Sequence, residues 1–339
     1  MSHVTVSSAS VLRRDFLLEG DLAPLIVPDP ARPGGERPAC CIAIGAFDGL
    51  HRGHRDLLDR TCTDARSRGV AAVAVTFDPD PDVVVSSHPA RKLLDGEDRI
   101  AALRRSGVDG VLVVPFDAEV AALDHAAFFD RFILPVLDVR AIHVGEDFRL
   151  GSGGRTDVEA MRTWGAGRGI EVFGHRLVRD GGEAITATRI RGLVAAGDLD
   201  AAERELGRRY FVHGTVVRGR MQGASLGFPT ANIELPDLVQ RPREGVYAGW
   251  AFDGRAAHPA AINVGIPPTF RGEGGAAELE ANILGFSGDL YGTGLRILFT
   301  RFLRPQRAFD SVDELVSVVR GNIEDVRRLY GDGEVELVP

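Results

Sequence analysis

Two stretches of this chain combine residue types at spacings suited to phosphate chemistry. The first is Gly45-Ala46-Phe47-Asp48-Gly49-Leu50-His51-Arg52-Gly53-His54, which follows an apolar run and opens a helical pattern. Two histidines three residues apart, either side of a glycine, stand there at the positive end of a helix, where backbone N–H groups favour an anion such as a triphosphate. Imidazoles at that point can hydrogen-bond phosphoryl oxygens and stabilise charge developing on a departing pyrophosphate. A lone histidine reads as a helix cap; HxGH at a strand–helix junction reads as a phosphate site. The second stretch runs Gly219-Arg-Met-Gln-Gly223-Ala-Ser-Leu-Gly227-Phe228-Pro229-Thr230-Ala231-Asn232. Glycines four apart let the backbone approach a phosphate chain and supply N–H donors without side-chain obstruction. Pro229 stiffens the turn into the next strand. Thr230 and Asn232, two apart on an extended segment, turn their oxygens to the same side. Hard oxygen ligands on one face suit Mg²⁺ held with ATP phosphates.

The elements around them fall into two textures. From Ala39 to about Leu206, apolar runs at 39–45, 71–77, 109–116, 140–145 and 170–175 alternate with helix-like stretches near 52–67, 97–106, 126–137 and 155–168. Continuous apolar strands separated by helices predict an α/β domain, a doubly wound parallel sheet covered on both faces. Such a sheet binds ligands at the carboxyl ends of its strands, where 46–53 would sit. After about Tyr210 the segments FVHGTVV, GVYAGWAF, HPAAINVG, ELEANILGF and LRILFTRFL are joined by Gly-, Pro- and Asp-rich turns, the pattern of an antiparallel β-barrel. A helix at about 311–330 closes the chain, begun by Ser311 with Glu314 placed for a capping box. The expected division is an N-terminal arm at 1–38, an α/β domain at 39–207 and a barrel domain at 208–339.

With 339 residues, 44% hydrophobic and 26% charged, the chain is long enough for two buried cores. A net charge of −8 argues against a nucleic-acid partner and leaves small molecules as the expected ones. Lys92 is the sole lysine, so no GxxxxGK[ST] phosphate loop exists. Cys40, Cys41 and Cys62 form no CxxC pair and read as core residues. No secretory h-region occupies the first 36 residues and no apolar run approaches membrane-spanning length, so a cytoplasmic protein with no membrane partner is expected. Self-association into a homo-oligomer is compatible with all of this.

The first motif resembles the signature of the HxGH nucleotidyltransferases, in particular the FMN adenylyltransferase module of bacterial bifunctional riboflavin kinase/FAD synthetases. The likeness continues through TFDPDP (76–81), VGEDFRLG (144–151) and ITATRIR (185–191). It implies that Gly45, Phe47, Asp48, Gly49 and Gly53 shape the nucleotide site, that Thr186, Thr188 and Arg191 hold phosphates, and that Asp147 lies near nucleotide or flavin. The second motif resembles the riboflavin kinase signature, continuing through GVYAGW (245–250), INVGIPPTF (262–270), GDLYG (288–292) and FLRPQRAFDS (302–311). It implies ATP bound by Gly219, Gly223, Gly227, Phe228, Pro229, Thr230 and Asn232, with Mg²⁺ on Thr230 and Asn232. A glutamate before the GDLYG turn is the family's base for the ribityl 5′-hydroxyl; Glu280 matches it by distance from Asp289, whereas alternation alone leaves Glu278 on the same face.

The resemblance implies riboflavin and FMN as substrates and two ATP-dependent steps. Some positions depart from it. Asp80 stands where the adenylyltransferase pattern has a histidine, adding a carboxylate near a triphosphate. Ala187 replaces a serine and loses a hydroxyl donor. In the second half Gln222, Pro267 and Asn282 replace residues usual to the kinase pattern. An alternative expectation is therefore a kinase whose nucleotidyltransferase half is weakened or of altered specificity. A second alternative, a non-catalytic flavin sensor, predicts flavin binding without ATP consumption and gives no reason for a base beside a metal pair.

Overall fold

The computed structural model describes residues 8–26, 37–219, 227–265 and 279–338. Gly223, Gln222, Pro267 and Glu278 lie outside them. The chain forms two compact units, Glu19–Ala187 and Thr188–Pro339 with Met1–Leu18.

Helix α1 (Ala9–Asp15) belongs to the second unit, and strand β1 (Leu25–Ile26) to the first. Then follow β2 (Ala39–Ile44), α2 (Arg52–Arg68), β3 (Ala71–Asp78), α3 (Pro81–Val85), α4 (Gly96–Arg104) and β4 (Gly110–Pro115). Short helices α5 (Ala118–Ala122) and α6 (His125–Phe128) lead to β5 (Asp138–Gly145), α7 (Val158–Ala166) and β6 (Glu171–His175). The sheet order is β1-β4-β3-β2-β5-β6, and every pairing in it is parallel. The chain steps from β2 outward to β4, then returns to place β5 on the other side of β2. That reversal is a topological switch point, where the crevice beyond the strand ends takes ligands. Cys40, Ile42 and Ile44 of β2 enter a core with Met161 and Trp164 of α7, while Cys41 on the opposite face meets Asp64 of α2. Both faces of β2 are covered, as its unbroken apolar run predicts.

A small hairpin of β7 (Arg179–Asp180) and β8 (Glu183–Ala184) precedes α8 (Ala187–Ala196) and α9 (Leu199–Leu206). The second unit continues with β9 (Phe211–Val217), β10 (Ala231–Glu234), β11 (Gly245–Phe252), β12 (Ala256–Val264), β13 (Leu279–Ile283) and β14 (Gly294–Arg304). These pair in the order β9-β10-β13-β12-β11-β14 and back to β9, all antiparallel. The ring is closed, so no strand of it offers a free edge. Helix α10 (Val312–Tyr330) covers β11 and β12, and β15 (Val335–Glu336) pairs with β12. Ser311 Oγ accepts from Glu314 N at 3.2 Å, and Glu314 Oε2 accepts from Asp310 N at 3.0 Å, so the capping box reaches back one residue further than the usual pattern. Helix α1 packs on the same barrel: the Phe16 ring lies 5.2 Å from Phe252 and 5.9 Å from Phe211, and Arg13 Nη1 donates to Leu337 O at 2.7 Å.

Candidate active sites

The HxGH loop leaves the carboxyl end of β2 and turns sharply into α2. Phe47 and Leu50 both take left-handed backbone angles, φ +56° and +41°, around Gly49 at +79°. Two non-glycine residues in that region are strained, and such strain persists where surrounding structure holds it. Asp48 supplies part of that hold: its buried Oδ1 accepts from Leu93 N at 2.8 Å and Leu94 N at 3.3 Å. Arg99, 3% exposed, donates to Ala46 O at 3.0 Å, Thr76 Oγ1 at 2.7 Å and Phe77 O at 2.7 Å, fixing the ends of β2 and β3 together. Nothing in the local pattern around Arg99 announces this role, because its partners are two backbone carbonyls and a threonine hydroxyl distant in sequence.

His51 is the N-cap of α2, and its Nδ1 accepts from His54 N at 3.3 Å. The proton of the neutral ring therefore sits on Nε2, leaving an N–H donor for an anion. The two imidazoles stack at 3.6 Å between centroids, with Phe47 edge-on to His54 at 5.3 Å. Burial pushes His51 down to about 4, and burial together with the neighbouring His51 holds His54 well below the ordinary imidazole value. Both rings are neutral at pH 7. Gly53 is tightly placed: a Cβ there would stand 3.1 Å from His51 Cε1, crowding that ring, and 3.6 Å from the Ile185 carbonyl. That contact brings the start of the ITATRIR segment to the HxGH glycine. Gly45 sits under Phe47, with its would-be Cβ 3.5 Å from the ring. Asp147 lies past the carboxyl end of β5 with its Oδ1 folded over Gly145, on the other strand of the switch point. Thr186 precedes α8, and Thr188 Oγ1 accepts from Arg191 Nη2 at 2.9 Å within the first turn of that helix.

Asp80 has company. Lys92 Nζ lies 3.0 Å from Asp80 Oδ1 and 3.0 Å from Asp82 Oδ2, and Asp80 Oδ1 also accepts from Asp82 N at the start of α3. The sole lysine of the chain thus offsets part of the charge of the carboxylate that departs from the family pattern, shared as it is with Asp82, and the Asp48 anchor holds the adjoining Leu93-Leu94 backbone. The expected repulsion is reduced inside the protein, by a pairing that separation by twelve positions concealed.

On the barrel, Asn232 stands opposite Glu280 of β13 and opposite Val217 of β9; Glu280 in turn faces Asn263 of β12. Directly opposed residues share a face of the sheet, so Asn232, Glu280 and Asn263 form one row across three strands. Thr230 comes two positions before Asn232, immediately ahead of β10. Gly219 backs the row: a Cβ on it would stand 2.2 Å from Asn232 Nδ2 and 2.3 Å from its Cγ. Only glycine admits the buried amide at that place. Gly227 has φ +86°, which starts the turn, and Phe228 is buried after it. Pro229 is held by a departure from the pattern: Asn282 Nδ2 donates to Pro229 O at 2.8 Å. Gln306 Nε2 donates to Asn263 Oδ1 at 2.6 Å and Val264 O at 3.0 Å, tying the 305–307 segment to the row. Arg218, beside Gly219, lies over the Tyr291 ring at 5.3 Å. The threonine hydroxyl and asparagine amide oxygen are hard donors, and the glycine cradle opposite Asn232 fits a set arranged for Mg²⁺.

Known families match both halves of the chain. A family model described as FAD synthetase matches residues 35–189, and one described as riboflavin kinase matches residues 206–330. A bifunctional riboflavin kinase/FMN adenylyltransferase from Pseudomonas fluorescens is 34% identical over 295 residues, covering 87% of this chain and 94% of that protein. The protein of the same description from Escherichia coli K12 is 32% identical, covering 86% and 93%. A crystal structure described as a macrolide-efflux protein from Streptococcus pneumoniae superposes with a TM-score of 0.77 at 29% identity, covering 89% of this chain and 98% of that one. Among the described residues of this chain no helix is long and apolar enough to cross a membrane. By sequence, over nearly its whole length, the chain belongs to the bifunctional riboflavin kinase/FMN adenylyltransferase family.

Proposed function

We propose that the chain makes two flavin cofactors in succession: it phosphorylates riboflavin to FMN with ATP, then joins FMN to the AMP part of a second ATP, giving FAD and pyrophosphate. The observation that carries this reading is the row of Asn232 and Glu280 against Gly219 in a chain that also holds the stacked HxGH pair. We assign the second step to an adenylyltransferase module at 39–207 and the first to a kinase module at 208–339, working in the cytoplasm.

In the kinase step Glu280 takes the proton of the ribityl 5′-hydroxyl as its oxygen bonds to the γ-phosphorus of ATP and the bond to the ADP oxygen breaks. Gly219, Gly223, Gly227, Phe228 and Pro229 line the ATP phosphates. Thr230 and Asn232 would hold Mg²⁺, which when bound neutralises phosphate charge. In the adenylyl step an FMN phosphate oxygen bonds to the α-phosphorus of ATP and the bond to pyrophosphate breaks. His51 and His54, neutral and proton-bearing, donate to the phosphoryl oxygens; Thr186, Thr188 and Arg191 hold the triphosphate, and Asp147 takes nucleotide or flavin. Gly45, Phe47, Asp48, Gly49 and Gly53 shape the loop. Of the two departures that motivate a weakened adenylyltransferase, Asp80 and Ala187, the Lys92–Asp80 pair offsets the first.

Chromatography of products from riboflavin, ATP and Mg²⁺ tests the proposal. Successive appearance of FMN and FAD is expected. FMN that accumulates without FAD, even when FMN and ATP are supplied directly, refutes the second step; failure to form FMN refutes the first.

A further inference from the structure

We propose that Cys41, Asp64 and His143 form a metal site for a borderline-soft divalent ion, Zn²⁺ by its ligand chemistry, beneath α2 in the α/β unit. The three residues come from β2, α2 and β5. Their ligand atoms lie within 4.8 Å of one another. Cys41 Sγ is 3.5 Å from Asp64 Oδ2, and His143 Nε2 is 3.0 Å from the same oxygen. A tetrahedral zinc with bonds of about 2.3 Å to sulfur and about 2.1 Å to nitrogen and oxygen holds its S and O ligands about 3.6 Å apart and its N and O about 3.4 Å. Small rotations of side chains on three rigid elements suffice to admit the ion. The site is separate from the HxGH loop, since Asp64 is thirteen residues along α2 from His51, about 20 Å of helix.

The surroundings suit an ion. Arg68 Nε binds the other carboxylate oxygen, Asp64 Oδ1, at 2.9 Å and so leaves Oδ2 to face the cluster. His143 is buried, and its second nitrogen, Nδ1, meets His175 Nε2 at 3.0 Å. A ligating imidazole whose far nitrogen is held by another group has its ring orientation and tautomer fixed. A thiolate, a carboxylate and a neutral imidazole balance a dication. The Asp64 side chain, 20% exposed, provides the approach from solvent, from which a water would come as fourth ligand. Sulfur and nitrogen donors favour Zn²⁺ or Co²⁺ over Mg²⁺, so the magnesium used with ATP does not compete.

The proton balance is definite. In the metal-free protein Asp64 Oδ2 accepts from the Cys41 thiol and from His143 Nε2–H, and His143 Nδ1 accepts from His175 Nε2–H. Metal binding sends the thiol proton to solvent. Both imidazoles exchange tautomers, so that His143 Nδ1–H donates to His175 Nε2, and each ring keeps one proton. A thiol must lose its proton to bind a metal, so the ion displaces it. One proton leaves per ion bound.

The test is titration of the full-length protein with Co²⁺ in excess Mg²⁺. A one-to-one complex with a thiolate-to-cobalt charge-transfer band and tetrahedral ligand-field bands is expected, with Kd falling about tenfold per pH unit between pH 7 and 8. Cys41→Ser should abolish the charge-transfer band, while Cys40→Ser and Cys62→Ser keep it. His175→Ala should weaken binding ~10–100-fold without removing the band. Should Cys41→Ser fail to fold, X-ray absorption on the wild-type zinc complex decides: one sulfur among nitrogen and oxygen ligands supports the site. A zinc shell without sulfur, no cobalt band at millimolar metal, or a band that survives in folded Cys41→Ser overturns it.

Discussion

Replacing Gly219 by alanine adds a single methyl group, and the geometry states where it must go. The new Cβ would lie 2.2 Å from Asn232 Nδ2 and 2.3 Å from Asn232 Cγ, whereas non-bonded heavy atoms settle near 3.5 Å. The amide must therefore retreat by about 1.2 Å or swing out of the row. The Asn232 backbone is pinned by Val217 on one side and Glu280 on the other, so the displacement falls on the amide itself. Misplacement of a positioning group by about 1 Å costs on the order of 100-fold in rate. Overpacking of this kind costs about 1–3 kcal/mol in stability. Gly219→Ala should thus form FMN from riboflavin on the order of 100-fold more slowly while forming FAD from supplied FMN at the wild-type rate. The assay is initial-rate chromatography of the two half-reactions, with a urea melt to confirm folding. A folded Gly219→Ala enzyme with wild-type kinase rate would refute the placement of Asn232 in the kinase centre.

Other outcomes follow from the same geometry. Glu280→Gln should lower the kinase kcat ~10²–10⁴-fold and leave adenylyl transfer intact; loss of both activities would point to misfolding, and loss of neither to a different base. Below about pH 6.5 an unfolded chain's imidazole takes up a proton that folded His51 refuses until about 4. The unfolded state then binds more protons, so stability falls as pH drops through that window, by at most about 3 kcal/mol for His51. His51→Gln should flatten the pH dependence of the urea midpoint between pH 7 and 5, and an unchanged slope would contradict the burial of a neutral ring. Lys92→Met leaves Asp80 and Asp82 without their cation. It should cost about 2–3 kcal/mol of stability and raise the KM for ATP in FAD formation, and adding Asp80→Asn should recover part of both. Failure of the double variant to recover anything would show the pair to be incidental.

Local patterns made the large elements legible. The unbroken apolar runs of β2, β3, β4 and β5 and the turn-separated barrel strands stand close to their expected positions, because periodicity and burial agree there. The two-residue β1 and the seven-residue α1 escaped notice, since neither is long enough to set its apolar positions apart from the polar arm around it, whereas β10 was expected as the extended segment carrying Thr230 and Asn232. Of the sites, the HxGH loop and the GFPTAN turn announce themselves by glycine and side-chain spacing. Distance to Asp289 selects Glu280 in the sequence, and in the structure Glu280 stands opposite Asn232, while Glu278 lies outside the described residues. Partnerships across long separations stayed hidden: Arg99 with the Ala46 carbonyl, Lys92 with Asp80, Asn282 with Pro229. These are contacts created by the fold, and no local spacing in the sequence pairs the residues that make them.

The seating of α1 on the barrel bears on how the protein is made and how it should be cut. Phe16 waits for Phe211 and Phe252, and Arg13 for Leu337, partners that emerge from the ribosome roughly 200 to 320 residues later. Closing such distant pairs is slow relative to local folding, so the α/β unit encoded between them has time to fold first. The second unit is discontinuous in the gene although compact in space. An excised kinase fragment starting near residue 208 would leave the aromatic seat of Phe211 and Phe252 bare; one carrying the first eighteen residues, joined by a flexible linker, would restore its cover.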